Sequence, residues 1–201
     1  MTAVLTYCTA NISASVINTL LEDSQKIENG SKFLSLLRTP DQEKVDPWGT
    51  SPPVEDFETG FLGMNEDDIY HFQKKFLAEK GKTIGGGIQG DWMAILDENS
   101  AAQSTVVMYY SMDKALWDEI HEPNPGYQIP GTYKVRDGDI WWKWRIPFKH
   151  SLAFHITVWN GGLDEVELFS RPEYTGPDGV VDAETCFKIM YRKIPDPEGV
   201  F

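Results

Sequence analysis

The sequence is short of basic residues. It holds 18 lysines and arginines against 31 aspartates and glutamates, a formal net charge of −13 at pH 7. Binding to a nucleic-acid backbone or to anionic lipid relies on a surplus of basic side chains. The charge therefore argues against both as partners and leaves zwitterionic lipid, glycans and apolar small molecules.

Cysteine and long apolar runs are also scarce. The two cysteines, Cys8 and Cys186, match no zinc or redox spacing, so we expect free thiols, with a single disulfide between them as the alternative. The start, MTAVLTYCTA, lacks the basic region and apolar core of a secretion signal, and no window reaches the ~18 apolar residues of a membrane span. The sequence predicts no transmembrane segment and a cytoplasmic protein by default, with non-classical release left open.

Motifs that name a reaction are missing. There is no Gly-x-Ser-x-Gly, no His-Glu-x-x-His and no paired-cysteine zinc motif. The glycine-rich tract 82–90, KTIGGGIQG, lacks the Gly-Lys-Ser/Thr ending of a phosphate-binding loop and precedes a strand, which favours a flexible connector. No cofactor and no metal site is predicted.

The clearest pattern that is present is a β-hairpin in residues 131–147. Asp137-Gly138 separates two β-rich runs, and glycine accepts the positive φ of a type I′ turn. The expected cross-strand pairs are Arg136–Asp139, Val135–Ile140, Lys134–Trp141 and Tyr133–Trp142. One face is then apolar. The second face carries Arg136, Asp139, Lys134, Trp141, Lys143 and Arg145.

A second hairpin is predicted in residues 150–169. A three-residue loop at 160–162 keeps the apolar residues of both strands on one face, and it places His155 opposite Glu167 on the other. Further strands are predicted at 92–96, 104–110 and 185–194. Helices are predicted from Ser13, over 31–37, over 65–80 with Asn65 as cap, and after a cap at Ser111.

These elements predict a single α+β domain over residues 1–201. Residues 1–81 are expected to be mainly helical and loop, and 82–194 to form an antiparallel β-sandwich or strongly curved sheet built from consecutive hairpins. Residues 195–201 are expected to be a disordered tail. The oligomeric state is left open.

The aromatic residues are the main candidates for binding. Trp141 falls on the charged face of its hairpin and Trp159 on the outer face of the next, and exposed tryptophans are typical of sites for sugar rings or choline headgroups. The alternative is that the N-terminal helices cover this second face. His155 with Glu167 is the candidate acid–base pair, with Tyr133 or Tyr109 as a hydrogen-bonding orienter.

The segment 131–159 also resembles the central region of actinoporin-like cytolysins and fungal fruit-body lectins. The matching residues are Asp137, Gly138, Ile146, Pro147, Phe148, Ile156 and Val158. The resemblance implies a β-sandwich flanked by helices that binds phosphocholine lipid or a glycan, with Pro147 and Phe148 at the ligand site. An amphipathic N-terminal helix would then enter membranes.

Two functions follow as hypotheses. The first is non-enzymatic recognition of a lipid headgroup or glycan, as in a membrane-active toxin or lectin, through an aromatic face of Trp141, Trp159, Phe148 and Tyr174, with Pro147 beside it. The second is a small cavity enzyme of the isomerase, lyase or cyclase type, which converts an apolar metabolite with His155, Glu167 and Tyr133.

Overall fold

The computed structural model describes residues 2–26, 30–84, 87–122 and 126–201, with the backbone alone for residues 82–84. The protein is α+β, and its described residues form one open, mixed sheet of six strands in the order β2-β1-β3-β4-β6-β5. The strands are β1 (Ala3–Cys8), β2 (Leu34–Leu37), β3 (Ile88–Leu96), β4 (Thr105–Asp113), β5 (Tyr133–Arg136) and β6 (Asp139–Pro147).

Helices occur along the whole chain. In its described residues they are α1 (Ala14–Asp23), α2 (Glu66–Ile84), α3 (Ser100–Gln103), α4 (Lys114–His121), α5 (Ser151–Gly161), α6 (Leu163–Ser170) and α7 (Ala183–Met190). Two 3₁₀ turns, Phe148–His150 and Pro172–Tyr174, follow β6 and α6. A flexible connector was predicted over residues 82–90, and residues 85–86 of it lie outside the described residues. The other residues of this tract belong mostly to regular elements, because α2 extends to Ile84 and β3 begins at Ile88.

The predicted fold class is wrong. Strand β1 pairs in parallel with β2 and with β3, and only the β3-β4-β6-β5 part is antiparallel, so the strands form one open sheet and no sandwich. Three helices follow the last strand instead of preceding the sheet. The β-sandwich implied by the cytolysin and lectin resemblance is therefore not the architecture of this chain.

The hairpin at Asp137-Gly138 is confirmed, residue for residue. Strands β5 and β6 pair in the four predicted combinations, from Arg136 with Asp139 to Tyr133 with Trp142. The turn residues Asp137 and Gly138 both have positive φ, at 49° and 89°, as a type I′ turn requires.

The second predicted hairpin is wrong, because residues 151–170 form α5 and α6. Buried Phe154 and Val158 are four residues apart, a spacing that places them on one helix face as well as on one strand face. Gly162, at a φ of 105°, separates the two helices where a hairpin loop was expected. The predicted strand 185–194 is likewise a helix, α7, whose first turn is capped by the Asp182 carboxylate.

The N-terminal part also differs from the prediction. Residues 3–8 lie in the part expected to be mainly helical and loop, but they form β1, and every side chain of this strand is buried. Residues 34–37, predicted as helical, form β2, which is equally buried. Parallel strands covered on both faces carry continuous apolar runs without alternation, and this explains why neither segment shows the period of a half-buried strand.

Helices cover both faces of the sheet. On one face, α1, α5, α6 and α7 pack on strand residues such as Met108 and Trp142 to form the larger core. On the other face, α2 packs Tyr70 and its neighbours on Tyr109 and Trp141 to form the smaller core. The predicted cap of α2 is present, since the Asn65 side chain accepts hydrogen bonds from the backbone N–H groups of residues 67 and 68. Helix α4 is capped by Asp113 and not by Ser111.

Both cysteines lie in the larger core as free thiols, Cys8 in β1 and Cys186 in α7. Burial raises the pKa of each thiol to about 12. Both therefore stay protonated and unreactive at neutral pH.

The predicted disordered tail is anchored. Arg171 donates to Asp196 at 2.6 Å, and the Asp196 carboxylate also accepts from the backbone N–H groups of residues 198, 200 and 201. The hydrogen bond from Arg171 is the main cause that lowers the pKa of Asp196. Within the described ranges, no helix is long and apolar enough to cross a membrane.

The burial of β1 leads to a prediction. Leu5→Ala removes a fully buried side chain from the strand paired on both edges, and it should lower the free energy of unfolding by about 2–5 kcal/mol. Val135→Ala, on the exposed side of β5, is the control and should change it by less than about 0.5 kcal/mol. Urea unfolding measures both. Equal stability of the Leu5 variant and the parent protein would contradict the place of β1 in the sheet.

Candidate functional site

The predicted aromatic residues do not form one binding face. Trp141 is only 5% exposed and packs edge-on against Tyr70 of α2, with ring centroids 5.2 Å apart, so α2 covers it as the alternative expectation proposed. Trp159 is 45% exposed, but it lies on α5, whose buried side chains belong to the core on the opposite face of the sheet.

The remaining predicted binding residues belong to the larger core or its margin. Phe148 is buried in that core, and Pro147 ends β6 beside it. Tyr174 lies in the second 3₁₀ turn and is half-buried against the same core. None of the three forms part of an exposed aromatic shelf with Trp141.

The predicted acid–base residues have other partners. His155 Nε2 lies 2.6 Å from Gln89 Oε1, whereas Glu167 accepts a 2.6 Å hydrogen bond from the Tyr127 hydroxyl. Burial lowers the pKa of His155 to about 3, so the imidazole is neutral at ordinary pH. The contact between His155 and Gln89 could not be predicted from the sequence, because it depends on a helix packing over a strand.

Residues of three strands and of α2 line a small cavity on the other face of the sheet from Trp159. Its volume is about 110 Å³. We call it the cationic pocket, and its lining residues are Glu66, Tyr109, Thr132, Tyr133, Lys134, Arg136, Trp141 and Lys143. Three residues that the sequence singled out, Trp141, Tyr109 and Tyr133, thus border one cavity, although the predicted roles differed.

Strand register places the polar side chains of the pocket together. Lys134 pairs with Trp141 across β5 and β6, and Tyr109 pairs with Lys143 across β4 and β6. Cross-strand partners point to the same face of a sheet. That face is the charged hairpin face predicted from the sequence, and α2 brings Glu66 to it as its first residue.

Glu66 is the acceptor at the centre of the pocket. Its Oε1 accepts from Lys134 and, at 3.0 Å, from Arg136 Nη2. Its Oε2 accepts from the Tyr109 hydroxyl at 3.0 Å and from Lys143 at 3.1 Å. A carboxylate offers about four lone-pair sites, so these four donors occupy all of the acceptor sites of Glu66.

These contacts keep Glu66 ionised. Partial burial is the largest single influence and acts to raise its pKa, but the hydrogen bonds from Lys134, Lys143 and Tyr109 together outweigh it and lower the pKa to about 2. Burial, reinforced by the Glu66 charge, raises the pKa of Tyr109. The phenol therefore stays protonated and donates.

Two residues that line the pocket each carry a buried donor without an acceptor. The donors are Arg136 Nη1 and Trp141 Nε1, and both side chains contact Tyr70, the guanidinium at 5.4 Å from its ring centroid. A buried N–H without a partner costs about 1–3 kcal/mol. Asp67 also contacts Arg136, but through Nη2. The pocket therefore has more donors than its own acceptors can satisfy.

The charge of the pocket is opposite to that of the chain. Lys134, Arg136 and Lys143 face one lining carboxylate, in a protein whose net charge is −13. The hairpin pattern already placed all three cations on one face. The position of Glu66 was missed, because only the packing of α2 on that face brings the two segments together.

A second cavity, of about 280 Å³, lies at the carboxyl end of β1. Helices α1 and α2 follow their strands on opposite faces of the sheet, so this is the point where the chain connections change side, a usual ligand position in open sheets. Its lining carries no charged side chain, and the Ala14 N–H at the start of α1 already donates to Asp56. It is the weaker candidate. The lining residues are Cys8, Ala10, Asn11, Ile12, Ser13, Phe57 and Thr59.

Comparison with known proteins gives no relative: no protein-family model, no curated protein and no solved structure matches the chain. In the part of the chain that the structure describes, no group of three or more histidine, cysteine, aspartate or glutamate side chains could hold a metal ion. The geometry of the cationic pocket is therefore the basis on which a function is inferred.

The Glu66 contacts predict a pH-dependent stability. Because its folded pKa lies below the ordinary 4.5, the carboxylate stabilises the fold fully above about pH 4.5 and loses this effect as the pH falls toward about 2. Glu66→Gln should lower the free energy of unfolding by about 1–3 kcal/mol at pH 7. This lies between the effect of breaking an exposed ion pair and that of breaking a buried one, because Glu66 is partly buried. Chemical unfolding at several pH values measures the difference, which should shrink toward pH 2.

The control for this experiment is Glu184→Gln. Glu184 pairs with Lys188 one helical turn away, and both side chains are exposed, so solvent screens the pair and its removal should change stability far less than Glu66→Gln does. If the Glu66 variant and the parent protein differed by a constant amount from pH 7 to pH 2, the described role of Glu66 would be wrong.

Proposed function

We propose that this protein is a non-enzymatic recognition protein that binds a small anion, a carboxylate or phosphate group, in the cationic pocket. The observation that carries the proposal is the unmatched hydrogen bonding of the pocket. Glu66 has used its acceptor sites, while Arg136 Nη1 and Trp141 Nε1 remain buried without an acceptor. Both residues line the pocket, and a small turn of each side chain would bring its covered N–H to an anionic oxygen in the cavity. Such an oxygen would supply the missing acceptors, and hydrogen bonds to charged groups are among the stronger ones in proteins.

The mouth of the pocket supports entry of such a group. Lys134 and Lys143 are 55% and 54% exposed, and their long side chains can move without disturbing the sheet. Both ammonium groups then remain within reach of the anion. The donors behind them lie on β5 and β6, which holds them in fixed positions.

The overall charge limits the kind of anion. A net charge of −13 repels a polyanion such as nucleic acid or a strongly anionic membrane at long range. A ligand with one or two charges experiences little of this repulsion. It gains the local attraction of the three cations, which exceed the two neighbouring carboxylates, Glu66 and Asp67, by one charge. A small molecule with a single acidic group is therefore the preferred class.

A recognition function was one of the two expectations from the sequence. The ligand proposed for it now rests on the charge of the pocket and no longer on an exposed aromatic face. The enzyme alternative relied on His155 acting with Glu167. His155 contacts Gln89 and is neutral, and Glu167 contacts Tyr127. No contact among these residues favours a catalytic role.

The proposal predicts a specific effect of the Trp141 indole. Isothermal titration with inorganic phosphate and with acetate should give saturable binding to the parent protein. Trp141→Phe keeps an aromatic ring but removes Nε1–H, and it should weaken binding about 10- to 100-fold, the effect of one hydrogen bond to a charged group.

Trp92→Phe is the matched control. Trp92 also has a buried Nε1 without a partner, but it lies in the larger core on the other face of the sheet. Its replacement should leave anion affinity unchanged. Absence of binding by the parent protein, or equal weakening by both variants, would refute the proposed function.

A further inference from the structure

A groove of about 320 Å³ adjoins the cationic pocket. The two cavities share Thr132 and Lys143 among their lining residues. A ligand whose acidic group enters the pocket can therefore extend past these two residues into the groove. The size of the pocket alone, about 110 Å³, leaves room for little more than the acidic group.

The groove exists because β5 is shorter than β6. Strand β5 pairs only as far as Tyr133 with Trp142, and the next backbone contact on this edge is the hydrogen bond from Val181 N–H to the Arg145 carbonyl at 3.0 Å. Between these contacts, the edge of β6 at Lys143 borders the groove. The floor is thus formed by the part of β6 that β5 does not cover, and the pairing of β6 with β4 along its other side fixes it in place.

The polar lining of the groove consists mainly of hydroxyl groups, which can donate and accept hydrogen bonds. Thr132, Ser170 and Thr175 line it, and Ser170 Oγ already accepts from Trp144 Nε1 at 3.0 Å. A hydroxyl has one donor and two acceptor sites, so Ser170 retains its own proton for donation. Arg145 lies beside them, held by Asp97 and Thr105. A ligand here meets several neutral groups that both donate and accept.

Other ligand bodies fit this lining less well. An acyl chain would cover the three hydroxyls without satisfying them, at a cost for each. A nucleobase needs an open aromatic plane, but Trp144 and Phe169 are buried and pack against Phe154. The quaternary ammonium of phosphocholine would be repelled by Lys134 and Lys143 at the mouth of the pocket.

We infer that the ligand is an acidic sugar, a sugar phosphate or a sugar carboxylic acid, with its acid in the cationic pocket and its hydroxyl-bearing ring in the groove. This inference rests on the proposed function, because the acid anchors the ring. The donors and acceptors of a sugar ring match those of Thr132, Ser170 and Thr175.

The test compares ligands that differ in one part. The probes for titration calorimetry are inorganic phosphate, the 6-phosphates of glucose, galactose and mannose, glucuronate, acetate, glucose and phosphocholine. At least one sugar phosphate should bind at least about tenfold more tightly than inorganic phosphate, or glucuronate should bind more tightly than acetate by a similar factor. Two or three added hydrogen bonds account for a difference of this size. Glucose alone should bind much more weakly, and phosphocholine no more tightly than phosphate.

Variants separate the groove from the pocket. Thr175→Val alters an exposed side chain that lines the groove and not the pocket, and it should reduce the preference for the sugar ligand while the affinity for inorganic phosphate is unchanged. Thr19→Val, at an exposed position on α1, should change neither affinity. Trp141→Phe should weaken phosphate and the sugar ligand by the same factor.

The two possible failures are distinct. If inorganic phosphate binds in the pocket and every sugar ligand binds no more tightly than its acid alone, the acidic-sugar inference is overturned and anion binding stands. If phosphocholine binds more tightly than every acidic sugar, the inference is also overturned. If no anion binds, the proposed function fails and the inference fails with it.

Discussion

The burial of β1 on both faces and both edges is the constraint on which the other elements depend. All six residues of this strand are buried, and it is paired with β2 on one edge and β3 on the other. A strand of this kind requires helices above and below it. Helices α1, α5, α6 and α7, joined by Trp117 of α4, form the larger core on one face, and α2 is the main cover of the other. Because α2 begins beside β4, β6 and β5, its first turn faces the charged side of the hairpin, and the pocket forms at that end.

The pocket follows from this arrangement of one helix over one hairpin. Helix α2 brings Glu66 and Asp67 to a strand face that carries Lys134, Arg136 and Lys143. The carboxylates neutralise part of the charge, and this attraction holds the helix to the sheet. The number of donors still exceeds the number of acceptors, and the excess is buried at Arg136 and Trp141. Each donor in this excess weakens the fold by about 1–3 kcal/mol, and we infer that ligand binding compensates for it.

Local sequence signals correctly predicted the elements that depend on a few neighbouring residues. The Asp137-Gly138 turn set the register of β5 and β6, and Asn65 with the acidic residues after it marked the start of α2. The segments 151–170 and 185–190 were misassigned because their apolar residues fit both a strand and a helix period, and glycines 161 and 162 resembled a hairpin loop. Strand β2 was missed because burial on both faces removes the alternation of a strand. Of the site, the cationic face of the hairpin was predictable, whereas the contact of Glu66 with that face depends on tertiary packing and was not.

The most direct test of anion binding observes the Trp141 indole proton itself. The seven tryptophans each give one indole signal in a ¹H–¹⁵N correlation spectrum, and the loss of one signal in Trp141→Phe assigns the resonance. Addition of inorganic phosphate should move the Trp141 signal downfield in a saturable way as Nε1–H gains an acceptor, whereas the Trp92 signal, from a buried indole on the other face of the sheet, should stay in place. A Trp141 signal that does not move at millimolar phosphate, or that moves no more than the Trp92 signal, would contradict the assignment of this pocket as an anion-binding site.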